Sequence, residues 1–220
     1  MELDRDPAQI EPNVGGIDLR TPLSLRAAFR FPLQHAQARR ELLWGAALLL
    51  IPVIGWLLNM GHRIEMVHRM QQGLPAWPAF ADYRRLLRHG LVTFFGMVVY
   101  HLPATAVAAI AYTQDIAALF GLAAVLWIAA TMVVPGYMTH YCVAFDVREV
   151  FAVSRAFARV REGGRAYLHA WCIALSALCL SFAGLLVFGV GFLVTSVWFW
   201  QVAGFSFATV FTHRHALARP

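Results

Sequence analysis

Between residues 170 and 211 the chain carries no Asp, Glu, Lys, Arg or His. A soluble fold has to cover its surface with charge, and an average soluble domain is roughly 25% charged. Crossing a bilayer takes about 20 apolar residues, so a run of this length reads as two spans back to back. A second stretch, residues 91 to 138, holds one full charge, Asp115. The chain as a whole is 60% hydrophobic and 14% charged. The expected fold class is all-α: a polytopic helical membrane protein.

Five apolar blocks occupy residues 42–60, 91–112, 116–138, 170–188 and 192–211. Only Thr113, Gln114 and Asp115 part the second from the third, and only Gly189, Val190 and Gly191 part the fourth from the fifth. Each pair is expected to form a transmembrane hairpin. The first block differs. Pro52 removes a helix hydrogen bond and Gly55 loosens the chain, so residues 42–60 either cross as a kinked span or enter and turn back. A broken backbone at membrane depth has to be buried in protein rather than lipid. Residues 22–212 then form a single membrane domain, between a polar N-terminal tail (1–21) and a cytoplasmic C-terminal tail (213–220). The acidic start MELDRDPAQI lacks the basic and apolar regions of a signal peptide, and no cleaved leader is expected.

The chain contains 18 arginines and no lysine, with a net charge of +6. A guanidinium suits lipid phosphate and carboxylate. The arginines are spread over four segments, so membrane lipid rather than nucleic acid is the expected partner. They also orient the chain. Segments 61–90 and 139–169 hold five arginines each, and the two hairpin turns hold none. The positive-inside rule puts both segments and the C-terminus on the cytoplasmic side, here of a bacterial inner membrane. Five further arginines lie between Arg20 and Arg40. A crossing at 42–60 would strand them outside, so the re-entrant form is the favoured expectation.

Within these segments, PAFADYRRLLRHG places Phe80, Tyr83, Leu86 and Leu87 on one helical face and Arg84, Arg85 and Arg88 on the other. DVREVFAVSRAFARVREG repeats Val150, Val153, Phe157 and Val160 at steps of three and four, with Arg155 and Arg159 mostly off that stripe. Both predict basic amphipathic helices lying in the interface, arginines at the headgroups. Arg63 and Arg69, on the helix that Gly73 is expected to end, are read as headgroup or partner contacts too. So is Trp77 in GLPAWP, as an interfacial anchor.

The stretch from Ile51 to Pro103 combines an apolar run carrying Pro52 and Gly55 with Gly61, Gly73-Leu74-Pro75, Trp77, Gly90, Tyr100 and Pro103. This pattern resembles an uncharacterised prokaryotic integral-membrane family, domain of unknown function 4013. His62 stands where that family usually has Tyr, and Pro78, Ala79 and Ala81 replace residues that are often acidic. The resemblance implies the membrane architecture and brings no activity.

Catalytic and metal-binding motifs are not evident. The three cysteines, Cys142, Cys172 and Cys179, form no CxxC pair, and no HExxH or nucleotide-binding glycine loop occurs. His101 is the one histidine well inside a span. It is the candidate ligand for a haem or chlorophyll-type pigment, or else it bonds a carbonyl freed by Pro103. Gln201 with Thr105, Thr131 and Thr195 is the candidate polar path of a transporter. Ala170, Ala174, Ala177, Ser181 and Gly184 form a small-residue stripe suited to close packing within the bundle. The expected function is non-enzymatic: an accessory or scaffold subunit among other membrane subunits. The alternatives are a small transporter or lipid-handling protein, and a pigment- or haem-binding subunit.

Overall fold

The computed structural model describes residues 22–215; the tail expected over 1–21 and the end of the C-terminal tail, 216–220, lie outside the described residues. Among these, every regular element is helical. The first helix, α1 (Leu25–Arg30), is capped by Ser24, whose hydroxyl accepts from the Ala27 amide at 3.2 Å. A 3-10 turn, Phe31–Leu33, built around Pro32, leads into α2 (Ala36–Leu48).

Residues 42–60 are not one helix. α2 stops at Leu48 and α3 runs Ile54–Gln71. Between them the Ile54 amide donates to the Pro52 carbonyl at 2.7 Å, with Val53 at φ 63. That is a classic γ-turn, rare because it strains a β-branched residue. Leu50, Ile51, Val53 and Ile54 project from this turn and are exposed. α3 then packs so closely on the end of α2 that a Cβ at Gly55 would overlap the Leu48 carbonyl.

α3 ends at Gly73 as the sequence suggests. Gly73 sits at φ 72, its amide donates to Met70 O, and the Leu74 amide donates to Arg69 O at 2.9 Å. This is a Schellman cap, which a left-handed glycine favours. The following loop contains a cis Trp77–Pro78 bond.

α4 (Tyr83–Thr113) begins at Asp82, whose carboxylate accepts from the Arg85 amide. α5 (Ala117–Ala144) returns from the first hairpin turn. The short α6 (Val147–Phe151) precedes α7 (Val153–Phe182), which a 3-10 turn and Gly189 (φ 74) connect to α8 (Val190–His215). Among the described residues, four helices are long and apolar enough to cross a membrane: Tyr83–Thr113, Ala117–Ala144, Val153–Leu186 and Val190–Thr212.

Two expectations need correction here. The basic segment at residues 83–90 is not a separate interfacial helix but the first turns of α4, whereas residues 153–163 do form a helical stretch of their own, divided from the apolar part of α7 by a break at Gly164 (φ 52, ψ −134). No breaker separates RRLLRHG from the apolar run behind it, so the helix simply continues. The stripe through Val150, Val153, Phe157 and Val160 is also not one face. Val150 lies on α6 and is buried, whereas Val153 and Phe157 on α7 are exposed and Ala156 is buried instead.

The core gathers where α3 meets the two hairpins. A Cβ at Gly61 would overlap the Leu86 carbonyl, and one at Gly90 the Leu57 carbonyl. These reciprocal contacts make α3 antiparallel to the first turns of α4. Trp56 meets Phe94 edge-on at 5.6 Å, so the 49–53 turn sits near the level of Phe94, only slightly inside the apolar part of α4. Phe31 stacks on Phe205 at 4.6 Å, and the Trp198 indole donates to Phe29 O, fixing α1 and its 3-10 turn against α8. Between α7 and α8 the small-residue stripe packs as expected: Ala170, Ala174, Ala177, Ser181 and Gly184 are all buried.

Candidate functional site

The apolar faces of α3, α4, α5, α7 and α8 do not close on one another completely. They enclose a cavity of about 540 Å³, within the size range of small-molecule and cofactor sites. Its space comes from small residues: Ala174, Ala203 and Gly204 form part of the wall where larger side chains would meet. Its mouth is set by large ones. Trp56, Val98, Trp127, Leu175 and Trp200 line the cavity and are also exposed. The opening is therefore bordered by apolar side chains and faces sideways, toward where lipid lies.

The cavity has a direction. On α5 its lining runs from Trp127 to Cys142, about 22 Å at 1.5 Å per residue. At the Cys142 end, near the arginine-bearing ends of the helices, stands Arg63. Its side chain is nine-tenths buried, with 8% of the residue exposed. Its Nη2 donates to Met138 Sδ at 3.4 Å, and its guanidinium lies 4.5 Å above the Trp200 ring. Among the described residues no carboxylate lies within ion-pair distance of it. Burial pushes its pKa down to about 10, so it stays protonated at neutral pH. Arg63 therefore does not lie on an outer face of the protein: α3 is enclosed by α4, α5 and α8, and its side chain points into the cavity.

At the other end His101 donates from Nδ1 to Met97 O at 2.8 Å and meets the Thr131 hydroxyl at 3.1 Å through Nε2. The carbonyl it bonds is not the one that Pro103 frees, which belongs to Val99 four residues before the proline. The single Thr131 O–H is shared between Nε2 and the Trp127 carbonyl, 2.9 Å from its oxygen, and ligation of a haem or pigment metal at Nε2 requires Thr131 to turn away. Among the described residues, no group of three or more His, Cys, Asp or Glu side chains is placed to hold a metal ion.

The other expected contacts divide. Trp77 is not an interfacial anchor; it is buried against Phe31 at 4.6 Å. Arg69 donates to Pro75 O and holds the GLPAWP loop. Arg85 pairs with Glu65 at 2.6 Å, and Arg155 and Arg159 both pair with Glu149. Arg84 and Arg88 are exposed and flank a second groove with Leu91, Phe95, Val147 and Phe151. The expected polar path does not form. Thr131 lines the cavity but Gln201 does not; Gln201 is buried, its amide atoms unpartnered, while Thr195 bonds the Ser181 carbonyl.

One cluster was not expected from sequence. Glu41 on α2 accepts the Ala79 amide at 3.1 and 3.0 Å, Gln37 Nε2 at 3.1 Å and His62 Nε2 at 2.8 Å, and His62 stacks on Phe80. Burial pushes the Glu41 carboxyl up. The His62 hydrogen bond and charge, the Ala79 amide and Gln37 outweigh it and hold the pKa below its ordinary 4.5. The available signal was the run GHRIEMVHR: its charges fall on several helical faces, which a helix with one solvent face does not need.

A family model described as "Protein of unknown function (DUF4013)" matches residues 44–199. No curated protein and no solved structure matches the chain.

Proposed function

Because the chain belongs to the DUF4013 family, whose function is unknown, we propose from its own geometry that it is a non-enzymatic, lipid-handling membrane protein. It holds one amphiphile in the cavity between α3, α4, α5, α7 and α8. The observation that carries this reading is the sideways, apolar mouth of a cavity about 540 Å³ in volume. An aqueous substrate gains nothing from such an entrance, whereas a hydrocarbon chain passes through it without leaving apolar surroundings. The lining spans about 22 Å of α5, comparable to one leaflet of a bilayer that is about 40–45 Å thick with its headgroups. In this reading the protein sits in the bacterial cytoplasmic membrane, with its arginine-bearing ends and C-terminus inside. The α2–α3 hairpin dips into the inner leaflet without crossing.

The test is native mass spectrometry of the gently solubilised protein. The wild type is expected to retain about one lipid after detergent exchange, and Val98→Trp with Leu175→Trp, which fill the mouth from exposed positions, to lose it. Equal retention by the two proteins defeats the proposal. An accessory-subunit role is a second reading, supported by exposed aromatic side chains such as Phe120, Phe182 and Phe188. Co-purification of a fixed set of membrane partners from native membranes tests it.

A further inference from the structure

Arg63 is a buried cation with no counter-ion among the described residues. Removing an ion from water costs several kcal/mol even after relaxation. The Trp200 face offsets part of that cost, and a thioether sulfur is a weak acceptor. The one acid on its own helix, Glu65, gives Oε1 to Arg85 and keeps Oε2 buried without a partner, outside ion-pair distance of Arg63, and the Arg63 stem packs close against Gly204, where a Cβ would press on Arg63 Cγ at 3.2 Å. A guanidinium carries five donors in a planar fork, and one hydrogen bond, to Met138 Sδ, is formed. The other polar side chains of the lining are the His101–Thr131 pair at the far end, Thr139, whose hydroxyl donates to the Pro135 carbonyl, and Trp171, whose indole N–H has no partner; the remaining side chains are apolar or, like Cys142, weakly polar.

We propose that the cavity binds an anionic amphiphile, its carboxylate or phosphate group held by Arg63 and its hydrocarbon chain extending toward His101 and Trp127. This rests on the lipid-holding reading and names the class of lipid. The placement agrees with how such a molecule lies in a membrane. The charged group sits at the arginine-bearing end, where acidic headgroups are, and the chain follows the 22 Å or so of lining toward the bilayer centre. Two parallel N–H···O bonds from a guanidinium to an acid oxygen pair are short and about twice as strong as neutral ones. A neutral chain of the same length leaves the cation uncompensated, and a free anion leaves the apolar wall unfilled.

Binding of oleate, its uncharged methyl ester and inorganic phosphate to the purified full chain in a non-ionic detergent tests this. Oleate is expected to bind and raise the melting temperature, its methyl ester to bind at least about tenfold more weakly, and phosphate to give no shift. Arg63→Gln should reduce oleate affinity by about tenfold or more, the loss of one charge-assisted pair. The double variant Arg84→Gln/Arg88→Gln, at the surface, should leave it unchanged. If Arg63→Gln does not fold, the ratio of oleate to methyl ester in the wild type and in Arg63→Lys decides. Equal binding of ester and acid, both abolished by Val98→Trp, overturns the anion inference and leaves the lipid-holding reading intact. A shift from phosphate alone overturns the amphiphile. No binding of oleate or its ester overturns both readings.

Discussion

Single residues at the α2–α3–α4 junction carry more of this fold than their size suggests. Glu41 holds the GLPAWP loop to α2 and α3 by bonding the Ala79 amide and His62 together. Its carboxyl has a pKa below the ordinary 4.5, so it binds its proton less readily folded than unfolded. Its contribution is complete above pH 4.5 and is lost as the pH falls through the lower folded value. Thermal melts from pH 7 to pH 3 should show an acid-side loss that is smaller in Glu41→Gln, which also loses about 1.5–3 kcal/mol near neutrality. Identical melts for the two proteins would remove Glu41 from this role. At Gly61 the constraint is steric: any Cβ overlaps the Leu86 carbonyl, which is backbone and has nowhere to go. Gly61→Ala should cost about 3 kcal/mol or more, read as a loss of folded protein in a denaturant titration; a wild-type midpoint would contradict the close approach. Several residues of the family-like pattern thereby acquire physical reasons: Pro52 in the γ-turn, Gly55, Gly61 and Gly90 at helix contacts, and Gly73 at a Schellman cap.

The helical elements were legible wherever periodicity or hydropathy was unbroken, and misread wherever a boundary depended on packing. Both hairpins fall where Asp115 and Gly189 interrupt the apolar runs. The basic segment at 83–90 was misassigned because a sequence shows where arginines begin, not whether the helix under them stops; the one ending at 163 stops where Gly164 breaks α7. Residues 42–60 illustrate the limit best. Their hydropathy is that of a span, yet the Pro52–Val53 turn divides them, and Gly55 lets α3 fold back against Leu48. With α2 and α3 as a shallow hairpin, Arg30 and the end of α3 near Gln72 lie on one side of the membrane. In a cysteine-free background, Arg30→Cys and Gln72→Cys should react with an impermeant maleimide from the same side, and Gln114→Cys from the opposite one. Labelling of Arg30→Cys together with Gln114→Cys would show that residues 42–60 cross.

For the molecule as a whole, the sequence by itself determined the solvent. Long uncharged runs exclude a water-facing surface, and their lengths and interruptions set four helices able to span a membrane. That follows from a local rule: backbone groups in hydrocarbon have to be satisfied within the helix, so the composition of each segment suffices. The site was decided only by the tertiary structure. Arg63 resembles every other arginine in the sequence, and Trp77 resembles an interfacial tryptophan. Whether each meets lipid or protein depends on five helices from distant parts of the chain. A cavity is the space these helices fail to fill, and no segment encodes it. It exists because Ala174, Ala203 and Gly204 are small where Trp56, Trp127 and Trp200 are large, a comparison that only packing makes.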